Sequence, residues 1–241
     1  VEYMTTSLNY AIDRTDRIIL LKQELDKLSI PLLKPDVNYS DAKFTIETDS
    51  NNKKSIRFAL AAIKGVGLSS MNKLVFERKK NDQYVDIINF MTRVEGDIIN
   101  KRQLEKLILA GAFDSIYQNR AFLFNNVVNF VQIFGGTKIL SNQQSSLFGD
   151  IKINLEDKNI FIHNFDLWSS SLQLNYELEV IGFYFSDHPL SNYPNKFFKE
   201  IGVTDFGEII SNQEMHQAKL IGSILDIKER SNKEGKKYAF L

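Results

Sequence analysis

Two glycines separated by one apolar residue, Gly65-Val66-Gly67 after Lys64, lie between two amphipathic segments and constrain this chain more than any other stretch. Without a Cβ, Gly65 and Gly67 can take positive φ and bring bare backbone within hydrogen-bond distance of a ligand, while Val66 folds back into the core. A helix opening at about Leu68-Ser69-Ser70 then aims unpaired N–H groups and its dipole at the same place, which suits a phosphate. This is the pattern of a helix-hairpin-helix turn. Charge agrees with it. Between Lys53 and Lys80 the basic residues are Lys53, Lys54, Arg57, Lys64, Lys73, Arg78, Lys79 and Lys80, and the one acid is Glu77, in a chain of zero formal net charge. Phosphate neutralisation by Lys and Arg is the sequence-independent part of DNA affinity. The pattern predicts a DNA-backbone contact made by Lys64, Gly65, Val66, Gly67, Leu68, Ser69, Arg57 and Lys73. The plainer alternative is a helical turn with a solvated basic face, because Gly-x-Gly alone is a weak motif.

The 241 residues, 43% apolar with 18 Phe, are enough for one large or two small domains with a real core. No run of about 18 apolar residues is present to span a membrane, and the first residues lack the pattern of a signal peptide. Zero Cys excludes disulfides and thiolate zinc sites and fits a reducing, cytoplasmic setting. His163, His188 and His216 show no i, i+4 pairing, so no metal site is expected.

Ile18, Leu21, Leu25 and Leu28 repeat at helical spacing until Pro31 and Pro35 force the chain extended. Phe44 and Ile46, the turn Asp49-Ser50-Asn51-Asn52, and Ile56, Phe58 and Leu60 read as a small β-hairpin. After the glycine turn come helical patterns from Met71 to Lys79, Ile87 to Val94, Gln103 to Leu109 and Arg120 to Phe134. Residues 61–134 thus predict two helix-hairpin-helix units in tandem, Leu109 to Asp114 being the second, degenerate hairpin. One helix pair cannot bury its apolar face alone, so two units are physically reasonable. Residues 135–164 are polar and weakly periodic, as a mobile loop would be. Order resumes near Leu172, with a short helix expected over Asn195 to Glu200. Lys219 to Ile227 alternates as a strand, Ser231 to Gly235 turns, and Tyr238-Ala239-Phe240 begins a second strand, so that the chain ends within a β segment. The expected fold is mainly α, with a tandem helix-hairpin-helix bundle, a small β-hairpin and a truncated β tail.

Within the polar loop stands Gln144-Ser145-Ser146-Leu147-Phe148. An apolar pair in a polar segment, with an amide at the other end, can dock in a partner's pocket. Taken alone, so short a pattern better suits a loop tacked onto its own domain.

Several motifs in order resemble one family. They are Glu2-Tyr3-Met4-Thr5, Pro35-Asp36-Val37-Asn38, Ile56-Arg57-Phe58 and Ala62-Ile63-Lys64-Gly65-Val66-Gly67. Further along are Leu104 to Ile108 with Ala110 to Asp114, Asn119-Arg120-Ala121, Ile181 to Tyr184 and His188-Pro189-Leu190. Together they resemble the bacterial replicative DNA polymerase III alpha subunit along nearly the whole chain. The resemblance implies that residues 1–48 end a fingers domain and that 49–134 form the tandem helix-hairpin-helix domain. It implies that 135–164 carry an internal sliding-clamp motif at Gln144, Leu147 and Phe148, that 165–216 form a helical connector, and that 217–241 open a truncated OB-fold of the kind associated with single-stranded DNA. The implied partners are duplex DNA, the sliding clamp and, through the parent chain, other replicase subunits, with no membrane. The polymerase's metal-binding acids and Mg2+ belong to a palm domain upstream. No catalytic residue is expected here, and Glu95/Asp97 and Glu177/Glu179 read as solvated charges. The implied function is a non-catalytic DNA- and clamp-binding segment of an enzyme that polymerises DNA. A stand-alone tandem helix-hairpin-helix protein that binds duplex DNA is the alternative, and upstream sequence separates the two.

Overall fold

The structure, a computed structural model, describes residues 1–94, 98–135, 154–158, 160–204, 207, 209, 217–224, 227–232 and 235–240. The chain forms two compact units, Val1–Ser186 and Asp187–Leu241. The first is mainly helical with a small sheet, as the sequence predicts. Helices α1 (Glu2–Tyr10) and α2 (Thr15–Lys27) pack together and bury Leu8, Ile18 and Leu25. Helix α2 ends where Ser29 takes φ 54° and the Ile30 N–H reaches back to the Leu25 carbonyl at 2.9 Å, satisfying orphan carbonyls before Pro31.

Beyond Pro31 the chain is extended as β1 (Leu32–Leu33), followed by β2 (Thr45–Thr48) and β3 (Lys54–Arg57). The hairpin β2–β3 pairs antiparallel with Ile46 opposite Ile56, and β1 adds in parallel on the other side of β3. Asn9 ties α1 to this sheet by closing both hydrogen bonds on the Phe44 backbone, at 2.8 and 3.0 Å. One hydrophobic core therefore draws on residues from 1–48 and from 49–134 alike.

Helices α3 (Leu68–Asn81), α4 (Ile87–Arg93) and α5 (Lys101–Leu109) follow at the expected places. Asp86 caps α4, and Asn100 with Gln103 forms a reciprocal capping box on α5 at 2.9 and 3.1 Å. The single helix expected over 120–134 is instead two, α6 (Arg120–Asn125) and α7 (Val127–Gly135). Asn126 is the cause. Its fully buried amide accepts from the Ile162 N–H at 2.7 Å and donates to the Ile162 carbonyl at 2.9 Å, pinning the bend to a segment 36 residues along the chain. This also brings the described end of the polar loop onto the core. Phe161 is buried with its ring 5.0 Å from Phe130, which anchors the chain at this point although Ile162 and Asn164 beside it are exposed.

Helix α8 (Ser170–Ile181) completes the unit and stops at Gly182, φ 101°. There a Cβ would sit 2.4 Å from Thr15 Cγ2, so α8 ends in close approach to α2. Arg120 and Glu177 are both buried and meet at 3.0 Å. Arg120 also donates through Nε to Asp114 at 2.8 Å, while Glu177 accepts the Phe185 and Ser186 N–H groups at 3.1 and 2.8 Å. Glu177 is thus a buried structural acid, which corrects the reading of Glu177/Glu179 as solvated charges. Its position on the inner face of α8, opposite a guanidinium, is the reason.

In the second unit, a short turn of helix at Pro189–Asn192 precedes α9 (Asn195–Glu200), the helix expected there. The alternating stretch 219–227 contains no strand among its described residues; the ladder joins β4 (Lys228–Ser231) to β5 (Lys237–Phe240). Alternation supplies an apolar face, but a strand also needs a partner, and the turn after Ser231 supplies one only to 228–231. No closed barrel forms among the described residues.

Removing one partner of a buried charge pair leaves the other uncompensated. Glu177→Ala is expected to destabilise the first unit by about 3–5 kcal/mol in urea unfolding. Glu179→Ala, whose side chain is half exposed, is expected to cost under about 1 kcal/mol.

Candidate nucleic-acid interface

A short 3-10 turn at Leu60–Ala62 leads into the glycine step. Ile63 and Val66 are buried, and the Val66 N–H closes the turn on the Ile63 carbonyl at 3.0 Å. Gly65 has φ +81°, a backbone that an L side chain rarely adopts. Gly67 does not: it takes φ −83° and ψ 141° as the N-cap of α3, which corrects the expectation of two positive-φ glycines. An extended N-cap is open to any residue. What Gly67 contributes is the absence of a capping side chain. The first-turn N–H groups of Leu68, Ser69 and Ser70 therefore lack the intramolecular acceptor that a Ser or Asp would provide. Lys64, Gly65, Gly67, Leu68, Ser69 and Lys73 are exposed together at this end of α3, with Val66 beneath them.

Two neighbours fix the turn. The Lys64 N–H donates to the Val180 carbonyl of α8 at 2.9 Å, which commits that group to the fold rather than to a ligand. On another side, the first turns of α5 stand beside the glycines. A Cβ on Gly65 would lie 3.7 Å from Lys106 Cγ and 3.9 Å from Arg102 Nε, and one on Gly67 would lie 3.6 Å from Gln103 Nε2. Lys106 is bound to Glu179 at 2.6 Å, whereas exposed Arg102 has no ion pair among the described residues. Arg102 thus joins Lys64 and Lys73 as a cation at the turn. It lies outside the basic run that ends at Lys80, and its signal was the Lys101-Arg102 pair opening the next helix of the tandem repeat.

The remaining basic residues divide sharply. Arg57 grips Glu47 through Nε and Nη2 at 2.7 and 2.8 Å and donates to the Lys34 carbonyl at 2.9 Å, so its donors are spent on the sheet. Arg78 is buried and holds the Val37 and Ser40 carbonyls at 2.7 Å each. Lys54 pairs with Glu2, and Lys79 pairs with Asp41. Lys64, Lys73 and Lys80 have no ion pair among the described residues. Burial works against ionisation of Glu77, yet hydrogen bonds from Arg93, Tyr84 and Asn81 outweigh it and hold its carboxyl below the usual carboxylate range.

The second hairpin, Leu109 to Asp114, has a positive-φ glycine but no open backbone. A Cβ on Gly111 would fall 2.2 Å from the Arg120 guanidinium, and the Ala112 carbonyl accepts the Val37 N–H at 2.8 Å. This turn is covered by its own fold, leaving the Lys64–Gly67 turn as the exposed one of the pair. Among the described residues, no group of three His, Asp or Glu could hold a metal ion, and no helix is long and apolar enough to cross a membrane. Gln144, Leu147 and Phe148, and likewise Glu95 and Asp97, lie outside the described residues.

Residues 29–123 match a family model described as a helix-hairpin-helix motif. The chain is 30% identical over 247 residues to DNA polymerase III subunit alpha of Campylobacter jejuni subsp. jejuni, covering 98% of this chain and 20% of that protein. It is 28% identical over 246 residues to the protein of the same name from Buchnera aphidicola subsp. Schizaphis graminum, covering 100% and 21%. The corresponding figure for Borreliella burgdorferi is 34% over 195 residues, covering 79% and 16%. The resemblance carried by the sequence motifs thus extends along nearly the whole chain, which spans about a fifth of the length of the curated relatives it matches.

The two glycines differ in a way that unfolding experiments can read. Gly65→Ala places a Cβ on a left-handed backbone and is expected to cost about 1–2 kcal/mol, whereas Gly67→Ala is expected to stay within about 0.5 kcal/mol.

Proposed function

We propose that this chain is a DNA-holding, non-catalytic segment of a bacterial replicative DNA polymerase III alpha subunit, gripping duplex DNA by its phosphates while synthesis proceeds elsewhere in the parent protein. The observation that carries this reading is the exposed Lys64–Gly67 turn, which opens directly onto the uncapped first turn of α3 beside the unpaired cations Lys64, Lys73 and Arg102. Backbone N–H groups at a helix N-terminus are complementary to an anion, and the three side chains add charge without reading bases. The position of the turn within a matched helix-hairpin-helix motif, in a chain similar to polymerase alpha subunits, supports the same conclusion.

In this reading the chain's residues bind and orient the duplex. Bond formation belongs to the palm of the parent enzyme, where Mg2+ would stabilise charge on the transferring phosphate. On this reading the residues of this segment hold DNA and take no part in the chemical step. We assign clamp binding to Gln144, Leu147 and Phe148, with the amide setting register and the apolar pair filling a pocket on the ring. Contacts with other replicase subunits would come through the rest of the parent chain.

Titration with duplexes of several sequences at several salt concentrations tests the grip. Lys64→Ala and Arg102→Ala should each weaken binding uniformly and lower the salt slope by about one. An unchanged slope in both variants would refute phosphate contact at this turn. For the clamp, a combined Leu147→Ala and Phe148→Ala variant should lose on the order of a hundredfold or more in affinity by calorimetry, while the duplex affinity stays as it was.

A further inference from the structure

Helix α3 carries a second exposed feature beyond its N-terminus. Ser69, Lys73, Phe76 and Lys80 are all exposed and recur at intervals of four, three and four, with exposed Asn72 beside them, so they form one stripe along the helix. Phe76 stands at its middle with 72% of its surface in solvent, although its neighbours Leu74 and Val75 are buried. It borders an open groove of about 620 Å3 whose walls include Lys73, Lys80, Arg93 and Ile98. The groove is positive for a structural reason. Its described acid, Glu77, is sealed by Arg93 at 2.9 Å, by the Tyr84 hydroxyl at 2.6 Å and by Asn81 at 3.0 Å, whereas Lys73 and Lys80 have no ion pair among the described residues. The two lysines are about 10 Å apart along the helix, one on each side of Phe76.

We infer that this stripe of α3 binds single-stranded DNA continuous with the duplex held at the Lys64–Gly67 turn, with an unpaired base stacked on the Phe76 ring and its flanking phosphates on Lys73 and Lys80. An aromatic face between two cations is the arrangement that recognises a strand without reading its sequence, since every base offers a π-face and every linkage a negative charge. A duplex offers the ring no free base face, so Phe76 has no role in the duplex grip. The assignment rests on the proposed duplex contact for its placement of the strand and shares Lys73 with it, and it differs from that contact in requiring Phe76 and an unpaired strand.

Fluorescence anisotropy with the 241-residue chain separates the two. The probes are a labelled blunt duplex, the same duplex with a six-thymidine overhang, and the free thymidine strand. The wild-type chain should bind the overhang duplex about tenfold more tightly than the blunt one. Phe76→Ala and Phe76→Leu should abolish that ratio and leave the blunt-duplex affinity and the melting temperature unchanged, whereas Phe76→Trp should keep it. Lys64→Ala should weaken both duplexes equally. Equal binding of the two duplexes by the wild-type chain, or a ratio that survives Phe76→Ala and Phe76→Leu, overturns the inference. So does self-association in sedimentation that Phe76→Ala removes, because it would assign the ring to a second copy. Absence of blunt-duplex binding together with Phe76-dependent binding of the free strand would instead refute the duplex grip and leave this site standing.

Discussion

The buried pairing of Arg120 with Glu177 is the constraint on which the rest of the first unit depends. A guanidinium in the interior is tolerable only where carboxylates and carbonyls meet its donors, and here Asp114 on one side and Glu177 on the other do so. Satisfying Arg120 locks α8 against the second hairpin and α6. Once α8 is fixed, its Val180 carbonyl stands where it receives the Lys64 N–H, and Glu179 stands where it receives Lys106. The exposed turn inherits its geometry from a charge pair that never sees solvent.

Four arginines of the first unit are spent on its interior. Arg57, Arg78, Arg93 and Arg120 are turned inward or sideways, each spending a forked set of donors on carbonyls or carboxylates of its own unit. Lys64, Lys73 and Lys80 remain at the surface without ion pairs among the described residues. A planar fork suits fixed internal geometry, and a point charge on a flexible stem suits a ligand whose phosphates shift in register. A chain of zero formal charge can therefore present a positive face: several acids are spent on inward-turned arginines, while Lys64, Lys73, Lys80 and Arg102 have no ion pair among the described residues.

Much of this was legible in the residues. The glycine turn, the existence of the hairpin and most helices around it follow from local periodicity and turn chemistry, which a single sequence displays. The break at Asn126 was hidden, because the competing partner, Ile162, is distant in the chain and periodicity reports only neighbours. Gly67 was misread for a related reason: Gly-x-Gly announces freedom of the backbone but not which glycine uses it. Glu177 was read as solvated because alternating acids on a helix usually are, and only the fold reveals that one of them faces a buried arginine. Arg102 was missed because its proximity to Gly65 depends on how α5 packs across the first turn.

The contact between Lys106 and Glu179 spans 73 residues of sequence, and that separation has a consequence for the order of assembly. On a ribosome adding about 5–20 residues per second, α5 emerges roughly 4–15 s, and the glycine turn roughly 6–23 s, before the helix that fastens them. During that interval the nascent turn has its local hydrogen bonds but lacks the acceptor for the Lys64 N–H. The exposed turn therefore matures late, after its sequence has long been translated, and a nascent chain halted before α8 would display the turn without its brace.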